Sequence, residues 1–367
     1  MTGGKTEEAV HLHQFTMSKS GSHATLADVA RKAGVGTTTV SRVINGGHRV
    51  SPRTLNRVRS VIEQLGYMPN QAARILKGER TKTIGLVIPS IADSFFASCA
   101  EAAQEIAKAH DSLLIVTVTN NDPHIEMENL NVLMRHRTDG LLLVPANYQS
   151  DTLADFLSRV PIPVVSFDRP VAKTNLPAVL SDNYNGARIA TEHLIGHGYK
   201  RILCLGGETT LYTLRERLRG YRHAIEEAGL PAIVDMSVKD YKSAEYAIEC
   251  HLAASQPPDA IFTLKNSITI FAFETLQKLK VAVPKTVALL GFDDFELAST
   301  LRPSVSVIQQ PIEDMGRIAT EILFEQLLPN KKGKQHLAKK KQDHFKLETK
   351  LVLRHSCGCN PTTDRTE

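Results

Sequence analysis

Seven short runs of consecutive apolar residues, rich in Val, Ile and Leu, follow Lys82. They read TIGLVIP, SLLIVTVT, DGLLLVP, PVVSFD, RILCLGG, DAIFTL and VALLGFDD, and amphipathic segments such as Phe96 to Ala109 and Gly186 to His197 separate them. Apolar strands that alternate with helices are buried on both faces, which predicts a doubly wound parallel sheet. About 270 residues exceed what one such sheet uses at ordinary domain sizes, so we expect more than one unit.

The segment before these runs is strongly basic. From His23 to Lys82, eleven Lys and Arg residues stand against three Asp and Glu, a balance of +8. The preceding 22 residues balance at zero, and everything after Lys82 sums to −3. A charge run by itself is usually a solvated face, but a basic segment on a slightly acidic body also indicates contact with a polyanion.

Several features bear on the compartment. No apolar run reaches the ~18 residues that a membrane-spanning helix needs, and MTGGKTEEAVHLHQFTMSKSGSH lacks the apolar region of a secretory signal. Five scattered cysteines, an odd number, fit reduced thiols better than a disulfide framework. We therefore expect a cytoplasmic protein.

Two short helices joined by a glycine turn are predicted in the basic segment. Thr25 can cap a first helix, and Gly34 is placed to end it in the left-handed conformation. The stretch GVGTTTVSRVINGG predicts a second helix from about Thr37 to Ile44, with small polar side chains opposite its apolar face. A third helix is expected between Ser51 and Gly66. Short hydrogen-bonding side chains suit a helix that enters a major groove roughly 12 Å wide.

The stretch TLADVARKAGVGTTTVSRVINGGHRVSPRTLNRVRSVIEQLGYMPNQAARILKG resembles the headpiece of the LacI/GalR family, which includes the lactose, galactose and purine repressors. It carries the family's D-V-A, its G-V followed by V-S-R-V-I-N, and its G-Y-x-P-N, in order and at the family's spacing. The resemblance implies a sequence-specific DNA-binding transcriptional regulator. Its implied DNA contacts are Thr25, Thr37, Thr38, Thr39, Ser41, Arg42, Asn45, Arg49, Asn70 and Leu76.

These implied contacts have different roles. Thr37, Thr38, Thr39, Ser41 and Arg42 would read bases and phosphates, while Asn45 and Arg49 would contact the DNA backbone. In the family, the hinge folds when two copies pair on DNA, and the residue at Leu76 wedges into the minor groove. The sequence departs from the family at Thr37 and Thr38, where relatives often carry larger side chains, so the operator sequence is left open.

The resemblance also implies the architecture of the body. The expected fold is an all-α helix-turn-helix headpiece plus an α/β, periplasmic-binding-protein-like body of two doubly wound parallel-sheet lobes. The chain is expected to cross between the lobes near Ser181, near Gln309 and before TKLVLRHS. The predicted domains are a disordered arm, 1–22; the headpiece, 23–68; the hinge, 69–82; the first lobe, 83–181 and 310–339; the second lobe, 182–309 and 340–358; and a tail, 359–367.

Polar and aromatic residues at strand ends are the predicted effector contacts. They are Asp93, Phe95, Phe96, Asp168, Arg169, Arg217, Asn266 and Asp293. Carboxylates, an Arg and an Asn beside aromatic faces suit a polyhydroxylated ligand, so we expect a sugar or a sugar derivative. The family usually has Asn where Asp93 stands and Asp where Ser267 stands. A purine or nucleoside acting as corepressor is the alternative.

Other classes of protein share this body. A periplasmic solute-binding protein should carry a signal peptide and no helix-turn-helix, and an enzyme should show a nucleophile or cofactor motif; neither pattern is found. His193 and His197 have a spacing that can bind metal, but surface imidazoles are the favoured interpretation. Cys357 and Cys359 are interpreted as part of a free tail. We therefore expect no catalytic residues, no metal and no cofactor.

Assembly and regulation follow from the resemblance. A homodimer would place two recognition helices in successive major grooves of a pseudo-palindromic DNA operator. The carboxyl-terminal region lacks sustained apolar heptads, so we expect a dimer without a tetramerising coiled coil. Loss of DNA affinity on effector binding is the commoner family behaviour, and it predicts an inducible repressor. Met17 resembles the usual family start, so the first 16 residues are either an arm or a misplaced start.

Overall fold

The computed structural model describes residues 24–44, 46, 49–68, 80–207, 209–327 and 344–359. The chain divides into two compact units, residues 1–79 and 80–367. The predicted arm, most of the predicted hinge and nearly all of the predicted tail lie outside the described residues. Within the described ranges, no helix is both long enough and apolar enough to cross a membrane.

The described part of the first unit, residues 24–44, 46 and 49–68, contains three helices around a small core. They are α1, Leu26–Ala33; α2, Thr37–Ile44; and α3, Pro52–Leu65. Gly34 ends α1 and Gly66 ends α3, each in the left-handed conformation that glycine adopts without a Cβ clash. Val29, Val40 and Val58, one from each helix, are fully buried. The three helices therefore share one apolar core, as the predicted helix-turn-helix requires.

The second unit is built on two sheets, and the first is parallel throughout. Its strands are β1, Thr83–Ile88; β2, Leu113–Val118; β3, Gly140–Leu143; β4, Val164–Phe167; β5, Ala178–Ser181; and β11, His344–Leu347, in the order β11-β5-β4-β3-β1-β2. Its helices are α4, Ser94–Ala109; α5, Pro123–Arg135; α6, Asp151–Arg159; and α11, Ile312–Leu327. Helices α4 and α11 join the core on one face, and α5 and α6 join the core on the other.

The second sheet also has six strands and is covered by helices on both faces. Its strands are β6, Ile202–Leu205; β7, Ile233–Asp235; β8, Ala260–Thr263; β9, Ala288–Phe292; β10, Ser306–Gln309; and β12, Lys350–Val352, in the order β12-β10-β9-β8-β6-β7. Only β12 runs antiparallel. Helices α7, Asn183–Gly196, and α8, Tyr212–Glu227, cover one face, while α9, Tyr241–Leu252, and α10, Asn266–Lys278, cover the other. The predicted fold class is confirmed.

The last strands correct one domain boundary. Residues 340–358 were assigned to the second lobe, but β11 pairs in parallel with β5 of the first sheet. Phe345 and Leu347 pack against the apolar core of the first lobe, which explains why this strand stays there. The chain enters the second sheet only at β12, so the final crossing lies between Leu347 and Lys350.

Candidate DNA interface and effector cleft

Helix α2 has one buried face and one exposed face. Val40 is fully buried and Val43 is 5% exposed, so both anchor the helix in the core of the first unit. Thr37, Thr38 and Arg42 are exposed. Short hydroxyl side chains in the first turn and an exposed Arg one turn later are the residue types that read base edges in a major groove. Helix α2 therefore offers the surface expected of a recognition helix.

Thr25 serves first as a helix cap. Its hydroxyl donates to Asp28 Oδ2 over 2.6 Å and accepts from the Asp28 backbone N–H, and Asp28 also accepts from the Thr25 backbone N–H. Hydrogen bonds from Thr25 lower the pKa of the Asp28 carboxyl. This capping box fixes the start of α1, so a DNA contact by Thr25 remains a prediction beside its structural role.

The other predicted DNA contacts are partly described. Arg49 is exposed and has a left-handed backbone, with φ of 64°. Thr39 and Ser41 are half-buried on α2. Asn45, Asn70 and Leu76 lie outside the described residues, so the minor-groove wedge stays a prediction.

Arg217 is the centre of a buried polar cluster in the second lobe. Its Nε donates to Asn183 Oδ1 over 2.7 Å, and its Nη1 donates to the Leu264 carbonyl over 2.7 Å and to Asp293 Oδ2 over 3.0 Å. The guanidinium lies 3.8 Å from the centre of the Phe292 ring. Arg217 is 3% exposed, so its charge is held by paired groups away from bulk water.

A matching cluster closes the carboxyl ends of strands in the first lobe. Arg169 Nε donates to Asp168 Oδ2 over 3.2 Å, and Nη1 donates to Asn121 Oδ1 over 2.7 Å and to the Pro145 carbonyl over 3.1 Å. Asp168 follows β4 with a left-handed φ of 62°. Burial raises the pKa of Asp168, while the charges of Arg169 and, from the second lobe, Arg217 oppose the rise. The two clusters are therefore electrostatically coupled across the cleft.

The lobes also touch directly. Lys265 Nζ of the second lobe lies 3.3 Å from Asp93 Oδ2 of the first. Tyr148 of the first lobe meets Tyr212 of the second edge-to-face, with ring centroids 5.4 Å apart. The Arg215 guanidinium lies 4.8 Å from the centre of the same Tyr148 ring. These contacts hold the cleft closed in this conformation.

The structure places some of the predicted effector residues in the two clusters and others outside them. Asp168, Arg169, Arg217 and Asp293 occupy the two clusters, and Asp93 joins them through its cross-lobe pair. Phe95 and Phe96 are 7% and 6% exposed and pack in the core of the first lobe, and their contact with the effector stays a prediction. Their strong apolar character explains this burial. Asn266 Oδ1 accepts from the neighbouring Ser267 N–H at the start of α10, and its ligand role stays a prediction.

Four residues of the cleft were missed: Asn183, Tyr148, Lys265 and Gln310. Gln310 is 5% exposed and its Nε2 donates to Asp293 Oδ1, yet its Oε1 has no hydrogen-bond partner among the described residues. Gln310 follows β10 directly, so the strand-end rule could have found it. Tyr148 lies on a loop beyond β3 and carries no comparable sequence signal.

Comparisons with known proteins agree with this architecture. Residues 81–347 match the family of periplasmic binding proteins and the sugar binding domain of the LacI family, and residues 25–70 match the bacterial regulatory proteins of the lacI family. The ribose operon repressor of Haemophilus influenzae is 32% identical and covers 83% of this chain and 92% of its own length. The repressor PurR of Photobacterium profundum is 31% identical over 91% of this chain and 98% of its own.

A solved structure of a related regulator aligns with most of this chain. The transcriptional regulator CelR in complex with cellobiose is 29% identical, with a TM-score of 0.66 over 91% of this chain and 99% of its own. A helix-turn-helix unit and a two-lobed body with a polar cleft define a DNA-binding regulator that responds to a ligand. The chain belongs to the LacI family of transcriptional regulators.

Proposed function

We propose that this regulator is a homodimeric repressor whose operator affinity is controlled by a sugar or sugar derivative bound between the two lobes. The observation that carries the proposal is the pair of buried clusters around Arg169 and Arg217 at the strand ends of facing lobes. Carboxylates held by arginines keep free lone pairs in a dry site, which is how a protein clamps several hydroxyl groups at once. Gln310 Oε1, which has no partner in the described part of the chain, adds an acceptor that a ligand hydroxyl would satisfy.

The aromatic part of the site is assigned to Tyr148. Its ring is 7% exposed and already stacks with the Arg215 guanidinium between the lobes. A ring in this position can pack on the apolar face of a sugar, the role first expected of Phe95 and Phe96.

A purine or nucleoside corepressor is the second candidate. The similarity to PurR over 91% of this chain favours it, as do the same Tyr148 and Arg217 groups, which suit a flat heterocycle. The two candidates predict opposite effects of the ligand on operator affinity. A sugar inducer lowers operator affinity, whereas a purine corepressor raises it.

The deciding experiment joins two measurements on the full chain. A thermal-shift screen covers sugars, sugar acids, sugar phosphates, nucleosides and purines, because a native-state ligand at ~100 times its dissociation constant adds roughly 2.7 kcal/mol. Each hit is then tested on an operator selected from random DNA duplexes. A sugar that stabilises the protein and weakens DNA binding supports the proposal; a purine that strengthens DNA binding replaces it with the second candidate. Coupling is reciprocal, so operator DNA must change the affinity for the hit by the same factor.

A matched pair of variants tests the location of the site. Asp293→Asn weakens the Arg217 ion pair and removes a carboxylate from the cleft, so we expect at least about a tenfold loss of effector affinity. Asp294→Asn is the control, because Asp294 pairs with Arg354 instead, at 2.7 Å. Equal losses of effector affinity in both variants would mean that the ligand does not bind at Asp293.

A further inference from the structure

Four metal-binding side chains meet at the far end of the second lobe. His193 and His197 lie near the end of α7, and Cys357 and Cys359 follow β12. One nitrogen or sulfur atom from each lies within 4.8 Å of the others. Cys357 and Cys359 are therefore not part of a free tail, while His193 is half-buried and His197 is exposed at the surface. Cys357 is fully buried, and both thiols face the imidazoles.

Three of the distances between these atoms fit one tetrahedral ion. His193 Nε2 lies 3.4 Å from Cys357 Sγ and 3.5 Å from Cys359 Sγ, and His197 Nε2 lies 3.2 Å from Cys359 Sγ. Tetrahedral zinc with Zn–S bonds of about 2.3 Å and Zn–N bonds of about 2.0–2.1 Å sets its nitrogen and sulfur ligands about 3.5 Å apart. Two thiolates and two imidazoles are also the ligand set of many structural zinc sites.

The backbone brings the four groups together without help from an ion. His193 and His197 are one helical turn apart, so their rings share a face of α7, with centroids 4.7 Å apart. Gly358 has a φ of 100°, and a Cβ there would lie 2.9 Å from the Tyr199 hydroxyl. Glycine between the two cysteines therefore permits a turn that other residues would strain.

The buried thiol also has an outer partner. Ser306 Oγ donates to Cys357 Sγ over 3.1 Å. The segment is anchored beside it, since the His355 and Ser356 backbone N–H groups both donate to the Ser304 carbonyl. A hydrogen bond to a ligating sulfur and a fixed backbone are the supports that metal sites use to orient their ligands.

We propose that His193, His197, Cys357 and Cys359 form a structural zinc site that fastens the carboxyl-terminal segment to the end of α7. Four protein ligands leave no open position, so the ion is structural and not catalytic. Asn183 at the opposite end of α7 binds Arg217 in the cleft, about 20 Å away along the helix axis. The zinc site is therefore separate from the effector site, and it does not depend on the proposed function.

The test measures metal content of the full chain, purified under reducing conditions from zinc-supplemented cells and dialysed before elemental analysis. We expect about one zinc per chain in the unsubstituted protein. His197→Gln and Cys359→Ser remove ligands near the surface, and each should lower zinc content at least about tenfold. Cys357→Ser is avoided as the sole test because Cys357 is fully buried and its loss could prevent folding. Cys250→Ser is the matched control, because Cys250 is an exposed thiol outside the cluster.

Two further measurements distinguish a loss of metal binding from a loss of folding. Cobalt added to the metal-free protein should give the intense visible absorption of a tetrahedral site with thiolate charge transfer, and His197→Gln should abolish it. A chelator should lower the melting temperature of the unsubstituted protein and of Cys250→Ser, but not that of the two ligand variants. A metal-free protein, equal zinc in all variants, or a Cys357–Cys359 disulfide in the purified chain would each overturn the proposal; the last would point to thiol redox chemistry.

Discussion

At the scale of single residues, Arg42 is a predicted DNA contact that can be tested directly. It is exposed on α2, on the side opposite the buried Val40 and Val43, so its side chain is free of the core. Arg42→Ala should weaken operator binding by about 1–3 kcal/mol and relax discrimination at one base pair, with little change in melting temperature. Arg59→Ala, on the exposed side of α3, removes the same charge and is the control. If both variants weaken binding to all DNA sequences by the same factor, Arg42 contacts phosphates only.

A second prediction at this scale concerns Glu126. Its carboxylate accepts the Ala146 backbone N–H over 2.7 Å and is 1% exposed. Burial raises its pKa from 4.5 to about 7, although the Ala146 hydrogen bond and the Arg169 charge act against the rise. The folded state therefore keeps a proton that the unfolded chain releases. Stability contributed by this group should decline as pH rises from 4.5 to about 7.

The test is a melting curve as a function of pH. Glu126→Gln keeps an acceptor oxygen but cannot ionise, so the fall in melting temperature between about pH 5 and about pH 8 should shrink. Glu128→Gln, two residues along the same helix and exposed, should keep the original profile. A Glu126→Gln profile that matches the unsubstituted protein would show that Glu126 does not titrate in this range.

At the scale of elements, the contact between α7 and α8 decides where Arg217 lies. A Cβ on Gly220 would stand 2.1 Å from the Tyr184 carbonyl oxygen and 3.0 Å from the Arg188 backbone nitrogen. Only glycine lets the two helices approach this closely. The hydrogen bond from Arg217 to Asn183 spans the same interface.

Gly220→Ala should therefore force the helices apart. We expect a loss of about 1–3 kcal/mol or more in the free energy of unfolding, measured by urea denaturation. Gly196 also lies in a helix, and a Cβ there would meet no described atom within 4 Å beyond its chain neighbours and its own helix backbone. Gly196→Ala should therefore stabilise the protein by about 0.5–1 kcal/mol. A tolerated Gly220→Ala would mean that the helices can shift without cost.

At the scale of the second unit, closure of the cleft links the site to regulation. The Asp93–Lys265 ion pair and the Tyr148 contacts join lobes that the chain crosses three times. A ligand that binds the closed cleft more tightly than the open cleft increases the closed population. The size of the increase is set by the ratio of the ligand's affinities for the two conformations.

Lys265→Met should favour the open cleft, because it removes the 3.3 Å pair with Asp93. We expect a larger radius of gyration in X-ray scattering and a weaker effector affinity, reduced in proportion to the closed fraction. Lys278→Met is the control, since Lys278 pairs with Glu245 inside the second lobe. Unchanged scattering and unchanged effector affinity in Lys265→Met would show that this ion pair does not keep the lobes together.

The sequence by itself determined the elements and much of the cleft. Helix starts at Thr25 and Ser51 and helix ends at Gly34 and Gly66 depend on side chains within a few residues, so local patterns predict them. The seven apolar runs predicted β1 to β4, β6, β8 and β9, whereas the buried strands β5 and β10 were not among them. Because parallel strands end at one edge of a sheet, residues such as Asp168 and Asp293 were identified by position alone.

Only the tertiary structure decided the remaining contacts. His193 and Cys357 are 164 positions apart, and Lys265 meets Asp93 across two lobes. The burial of Phe95 and Phe96, and the sheet that β11 joins, likewise depend on which core lies beside them. Local periodicity states which face of an element is apolar. It does not state which distant element covers that face, because that choice is made by the packing of the assembled lobes.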